Sequence, residues 1–148
     1  MKKVCLSLIA LLVLTAGCGK SSLNANQIQY KNKTLEYGTS SIDDVFLDSG
    51  IDLTLNDSNQ IRSITITNED VKTFNNLSVG DKITKVQSDY KYETEIGDMI
   101  SVTLYNNDEI DAMKDDKPED TIYINYFCNN DVIKKIQIYD YTYATKMK

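Results

Sequence analysis

Residues 122–138 read IYINYFCNNDVIKKIQI, and residues 51–66 read IDLTLNDSNQIRSITI. Each stretch is an apolar run, then a cluster of Asn and Asp, then a second run in which isoleucine recurs. Turn-forming residues between two β-prone runs are the local signature of a β-hairpin. The second run is Ile61-Arg-Ser-Ile-Thr-Ile66 in one stretch and Ile133-Lys-Lys-Ile-Gln-Ile138 in the other. The chain therefore carries a weak internal repeat, two hairpins built to the same plan.

Working outward, a second matched element precedes each hairpin. Gly38-Thr-Ser-Ser-Ile42-Asp-Asp-Val45 parallels Gly80-Asp-Lys-Ile83-Thr-Lys-Val86, with one residue inserted. In both, a glycine precedes an N-cap candidate (Thr39 or Ser40; Asp81), and apolar residues follow three apart. The spacing predicts short helices over 40–48 and 81–90. A lead-in hairpin is expected over 28–30 and 33–37, and a further strand over Met99–Tyr105. An acidic polar loop, 106–120, holds the one proline, Pro118.

The expected fold class is α+β, a single domain over 28–148. It is read as two pseudo-repeated helix–β-hairpin units, about 28–69 and 76–143, forming an antiparallel sheet with short helices on one face. This tandem arrangement resembles the beta-lactamase-inhibitor-protein-like and small outer-membrane-assembly lipoprotein folds, and domains common in Gram-positive lipoproteins. The resemblance covers residues 35–140 at the level of pattern and carries no functional residue across.

Ahead of the domain, Lys2-Lys3 is followed by an apolar run over 4–13 and then by Leu14-Thr15-Ala16-Gly17-Cys18. A basic start, a short apolar stretch and small residues before a cleavage point form a secretory signal. The run is shorter than the roughly 20 apolar residues of a spanning helix. Residues 14–18 resemble a bacterial lipobox, with Thr15 standing where leucine is usual. The resemblance implies that 1–17 is a lipoprotein signal peptide and that Cys18 becomes the lipidated N-terminus. The protein would then sit on the extracytoplasmic face of the cell membrane. Two acyl chains anchor stably, whereas one, at about 0.8 kcal/mol per buried CH₂, is marginal. Residues 18–27, the lipidated cysteine and GKSSLNANQ, read as a flexible tether.

Composition narrows the chemistry further. The 148 residues contain no histidine and no tryptophan, with 16 basic against 22 acidic residues. Removing Lys2 and Lys3 with a 17-residue leader turns −6 over 148 residues into −8 over 131. Without histidine there is no histidine triad, no histidine base and no histidine-ligated metal. So acidic a chain lacks the clustered basic charge that nucleic-acid binding needs. Of three cysteines, Cys5 leaves with the leader and Cys18 takes the lipid, so Cys128 cannot form an internal disulfide. Lysine exceeds arginine 15 to 1 and asparagine is abundant; both read as compositional background.

Alternation sorts the strand residues into faces, because successive side chains of a strand point opposite ways. Ile100, Val102, Leu104, Ile122, Ile124, Tyr126, Cys128, Ile136 and Ile138 form one set, expected to pack under the helices. The other set is rich in aromatic residues: Tyr105, Tyr123, Phe127, Tyr139 and Tyr141. Tyrosine combines a large apolar contact with a polar tip, which enriches it at interfaces. These five residues are the candidate recognition surface. High strand propensity alone also places tyrosine on strands, and contiguity decides between the two readings.

Catalytic readings find little support. Cys128 has no histidine to activate it and falls on the aliphatic face, where burial makes a thiol inert. Asp43-Asp44, Asp115-Asp116 and Glu119-Asp120 are adjacent acids of the kind usually solvated, whereas a glycosidase needs two carboxyls across a cleft. The loop 106–120 has oxygens for Ca²⁺ but lacks the ordered Asp-x-Asp-x-Asp-Gly spacing, and Lys114 and Lys117 interrupt it. Gly19-Lys20-Ser21 belongs to the tether and not to a phosphate loop. The expectation is a non-enzymatic protein- or ligand-binding domain, without cofactor or metal, whose tyrosine face takes a peptide, a glycan or a partner domain and whose partner is an envelope or extracellular protein or peptide. Its partners would include the membrane, through Cys18, and no nucleic acid. Two alternatives stay open: an inhibitor-like module that occludes an enzyme, and a carboxylate-based envelope hydrolase.

Overall fold

The computed structural model describes residues 23–47, 50–91, 93–111 and 117–146, with side chains through Tyr143. The lipobox and Cys18 lie outside the described residues, as do 112–116 of the acidic loop. The domain is mixed helix and sheet, mostly antiparallel strands with few helices. β1 (Gln27–Tyr30) and β2 (Lys33–Glu36) form a small separate hairpin. The main sheet contains β3 (Ile51–Leu55), β4 (Ile61–Ile66), β5 (Thr94–Ile96), β6 (Met99–Tyr105), β7 (Asp108–Glu109), β8 (Ile122–Asn129) and β9 (Val132–Asp140). Its order is β3-β4-β9-β8-β6-β5, and the short β7 also lies beside β6.

The two repeated isoleucine runs meet at the centre of this sheet. Ile64 pairs with Ile138 and Ile66 with Ile136 across the antiparallel β4–β9 contact. Both partner hairpins have a register shift at the same step: Leu55 opposes Ile61, and Cys128 opposes Ile133. Ile64, Ile66, Ile136 and Ile138 join Ile100, Val102, Leu104, Ile122, Ile124 and Tyr126 in one buried apolar cluster. Ile28 and Leu35 of the small hairpin, Phe46, and Ile83 and Val86 of helix α1 (Ile83–Asp89) pack into the same cluster. At about 25 cal/mol per Å² of apolar surface, this shared burial is the main force holding the layers together.

Asparagine is structural here, as its place in the hairpin turns implies. Lys31-Asn32, Asn106-Asn107 and Asn130-Asp131 have positive φ at both residues and close the β1–β2, β6–β7 and β8–β9 hairpins. That is the backbone of the two-residue hairpin turn whose twist matches the flanking strands, and Asn tolerates it best after Gly.

Three local expectations need correction. The helix expected over 40–48 is a single 3₁₀ turn, Asp44–Leu47. Short side chains there bond the nearby backbone instead: Ser41 N–H donates to Thr39 Oγ1 at 3.1 Å and Val45 N–H to Asp43 Oδ1 at 3.2 Å. Such bonds compete with helical ones. The last strand ends at Asp140, so Tyr141 and Tyr143 belong to helix α2 (Tyr141–Lys146), not to a strand. Asp140 stops it by accepting the Tyr143 N–H at 2.7 Å, as a capping carboxylate does. Finally, the flexible tether expected through Gln27 does not extend over the described residues 23–27. Leu23 and Ala25 are buried, and Ala25 N–H donates to Asn107 Oδ1 at 2.7 Å.

Candidate binding surface

The sheet face opposite the apolar cluster is built from two cross-strand rows. Thr54, Ser63, Tyr139, Tyr123 and Thr103 run side by side across five strands. Asp52, Thr65, Gln137, Asn125, Ser101 and Thr94 form the next row. One row supplies aromatic rings, the other amides and hydroxyls.

Strand pairing puts Tyr123 opposite Tyr139, and their rings stack 5.3 Å apart at 16°. Tyr143, carried over by α2, tilts against Tyr139 at 6.1 Å and 53°. Such contacts add about 0.5–1.5 kcal/mol beyond area burial. The Lys117 ammonium sits 5.7 Å from the Tyr123 ring centre. Partial burial pushes the Tyr123 hydroxyl up to about 12, with the Tyr139 and Tyr141 hydroxyls nearby adding to the shift. Tyr141 is 37% exposed, the most open of this group. Asn125 Nδ2 donates to the Tyr139 hydroxyl at 3.1 Å, and Gln137 Nε2 to Ser63 Oγ at 3.4 Å. Among the described residues, Thr103 Oγ1 and Asn125 Oδ1 are buried without a hydrogen-bond partner.

The five expected surface residues thus divide. Tyr123, Tyr139 and Tyr141 come together, with Tyr143 added by the capped helix. Phe127 is separated from them along β8 by Asn125 and lies under the Lys135 ammonium, 3.8 Å from its ring centre. Tyr105, half-buried beyond Thr103 on β6, makes no ring contact with the cluster. Cys128 is partly buried against the apolar cluster, and burial pushes its thiol up, with Asp98 and Asp131 adding to the effect.

A concavity that the sequence reading missed lies at the end of the sheet where β8 starts and β9 finishes. This cleft of about 430 Å³ is lined by Asn24, Asn26, Asn106, Asn107, Arg62, Asp120 and Asp140 around Leu104 and Ile122. Arg62 is the chain's one arginine. Its Nη1 donates to Asp140 Oδ2 at 3.2 Å, and Tyr37 OH donates to the Arg62 carbonyl at 2.8 Å. Desolvation first, then the Asp140 charge, pushes the Tyr37 hydroxyl far above its ordinary range. The signal available in sequence was this single arginine in a lysine-rich chain, since a planar guanidinium and an ammonium are not interchangeable in a pairing site.

The cleft brings two carboxylates together, yet it is poorly suited to acid–base chemistry. Asp140 has both oxygens engaged, Oδ2 by Arg62 and Oδ1 by the Tyr143 N–H. Among the described residues, no three His, Cys, Asp or Glu side chains gather to hold a metal ion. No described helix is long and apolar enough to cross a membrane. No family model, curated protein or solved structure matches the chain.

Proposed function

We propose that the protein is an extracytoplasmic lipoprotein, anchored to the cell membrane through Cys18, whose domain binds an envelope or extracellular protein or peptide without catalysis. The observation that carries the binding reading is the stacked Tyr123–Tyr139 pair, extended by Tyr143 on the face away from the core, with the Tyr141 hydroxyl near enough to act on that of Tyr123. Amphipathic rings next to a row of amides are the composition of a recognition surface. The unpaired Thr103 and Asn125 oxygens add support, because local rules are broken most often where function sets the residue. Engagement of both Asp140 oxygens favours binding over hydrolysis.

The anchor reading rests on the leader sequence. Leu23 is already packed, so residues 19–22 alone would connect the domain to the lipid. Four extended residues span at most about 14 Å, which would hold the domain close to the membrane surface. We also read the domain as two helix–hairpin units. The paired isoleucine runs, the matching register shifts and the left-handed glycines Gly38 and Gly80 support that reading. The binding reading is tested by crosslinking in intact cells, comparing the wild-type chain with one in which Tyr123, Tyr139 and Tyr141 are serine.

A further inference from the structure

We propose that the cleft beside Arg62 and Asp140 binds a neutral polyhydroxylated ligand, a hexose unit of a glycan or of a glycolipid headgroup. This site is separate from the tyrosine face, since none of Tyr123, Tyr139 or Tyr141 lines it. Its volume, about 430 Å³, falls in the range of small-molecule sites.

The lining selects the ligand class. Each of Asn24, Asn26, Asn106 and Asn107 carries a planar amide with a donor and an acceptor side by side. Neighbouring sugar hydroxyls likewise donate and accept, so amides match them in pairs. Several of these groups have capacity to spare. The Asn106 amide has no hydrogen-bond partner among the described residues. Asn26 uses Nδ2 on Glu36 at 3.1 Å, leaving its side-chain Oδ1. Arg62 gives Asp140 one of its five N–H donors.

Charge argues the same way. Asp140 neutralises Arg62, and Asp120 adds a negative charge, so an anion gains nothing by entering. Leu104 and Ile122 supply an apolar patch for a sugar's C–H face. A neighbouring cavity of about 410 Å³ shares Asn24, Leu104 and Asn107 and adds Phe74 and Tyr90. The Asn24–Asn107 hydrogen bond, 3.1 Å, lies at their junction. A longer saccharide can therefore continue from the amide-lined cleft to one with aromatic walls.

The test is amide shift mapping on the full-length protein in dodecylphosphocholine micelles. The probes are methyl glucoside, N-acetylglucosamine and maltotetraose. A parallel arm measures binding to phosphatidylcholine vesicles with and without monoglucosyl diacylglycerol, which separates a free glycan from a lipid headgroup. We expect saturable shifts at residues 24–26, 62, 104–107 and 120, and none at 123 or 139. Asn106→Gly and Asn26→Ala should each weaken binding about three- to tenfold, the loss of one neutral hydrogen bond. Glycine accepts the positive φ of Asn106, so that variant keeps its fold, which circular dichroism checks. The proposal is overturned if neither arm shows saturable binding, if the shifts map to the tyrosine face, or if both variants bind as tightly as the wild type.

Discussion

Ile61 and Ile133 stand at the same position in two different hairpins and exchange the same pair of backbone hydrogen bonds. Gly38 N–H donates to the Ile61 carbonyl at 3.1 Å, and Ile61 N–H donates to the Thr39 carbonyl at 3.0 Å. Gly80 N–H donates to the Ile133 carbonyl at 2.8 Å, and Ile133 N–H donates to the Asp81 carbonyl at 2.9 Å. Both glycines have positive φ, +85° and +91°. A Cβ at Gly38 would meet nothing within 4 Å, and at Gly80 only the Glu69 side chain at ordinary contact distance. Backbone strain is therefore the whole cost of a side chain at either place. Gly38→Ala and Gly80→Ala should each lower stability by about 1–2 kcal/mol, read from urea midpoints. A loss at one glycine with none at the other would contradict their matched roles.

The sheet was legible in sequence because isoleucine recurrence and Asn/Asp turns are local signals. They placed β3, β4, β8 and β9 and put Ile100, Val102, Leu104, Ile122, Ile124, Tyr126, Ile136 and Ile138 on the buried face. The helix over 81–90 was legible for the same reason, as its apolar residues fall three apart; it runs over Ile83–Asp89. The segment at 40–48 misled because Thr39 and Asp43 act as turn formers as readily as helix starters. Tyr141 was misplaced because alternation cannot show where Asp140 caps a new helix. The cleft was invisible for a different reason. Asn24, Arg62, Asn107 and Asp140 are far apart in the chain; strand pairing gathers the last three, and hydrogen bonds to Asn107 bring in Asn24.

Alkaline pH should unfold the domain. Burial pushes the Tyr90 and Tyr123 hydroxyls up to about 12, and raises those of Tyr37 and Tyr126 well above their ordinary range. In the unfolded chain each ionises near 10. A raised folded value means that the unfolded state loses its proton first. Stability is therefore fully present below about pH 10 and falls as pH rises through the folded values. Between pH 9 and 12 the urea midpoint should fall while tyrosinate absorbance, followed in parallel, rises. A flat midpoint across this window would contradict the buried tyrosine assignments.

Removing Arg62 should destabilise the sheet end. Asp140 has a side chain only 10% exposed, whereas that of Arg62 is 31% exposed. Arg62→Ala leaves Asp140 without its cation, at a cost of about 2 kcal/mol after allowing for solvent screening. Arg62→Lys should recover part of this by charge alone. Denaturant titration of the two variants beside Asp140→Asn checks the pairing; equal stability of Arg62→Ala and wild type would refute it.

The proposed anchor carries a separate prediction. Cys18→Ala should move the protein from the membrane fraction to the soluble one while leaving its melting temperature unchanged. Fractionation of cells expressing each form, with radiolabelled palmitate incorporation, reads this out. Membrane retention without label would exclude lipidation at Cys18.

The central claim is that the tyrosine cluster forms the binding surface, and in-cell photocrosslinking tests it most directly. The crosslinker is carried at half-buried Thr65, in the row beside Tyr139. The account predicts discrete crosslinked species with the wild-type chain and with Tyr105→Ser or Phe127→Ser, whose residues lie outside the cluster. The same species should fall at least tenfold when Tyr123, Tyr139 and Tyr141 are all serine and circular dichroism shows the fold retained, as expected for losing two or more contacts of about 1 kcal/mol each. Undiminished crosslinking in that folded triple variant would contradict the account.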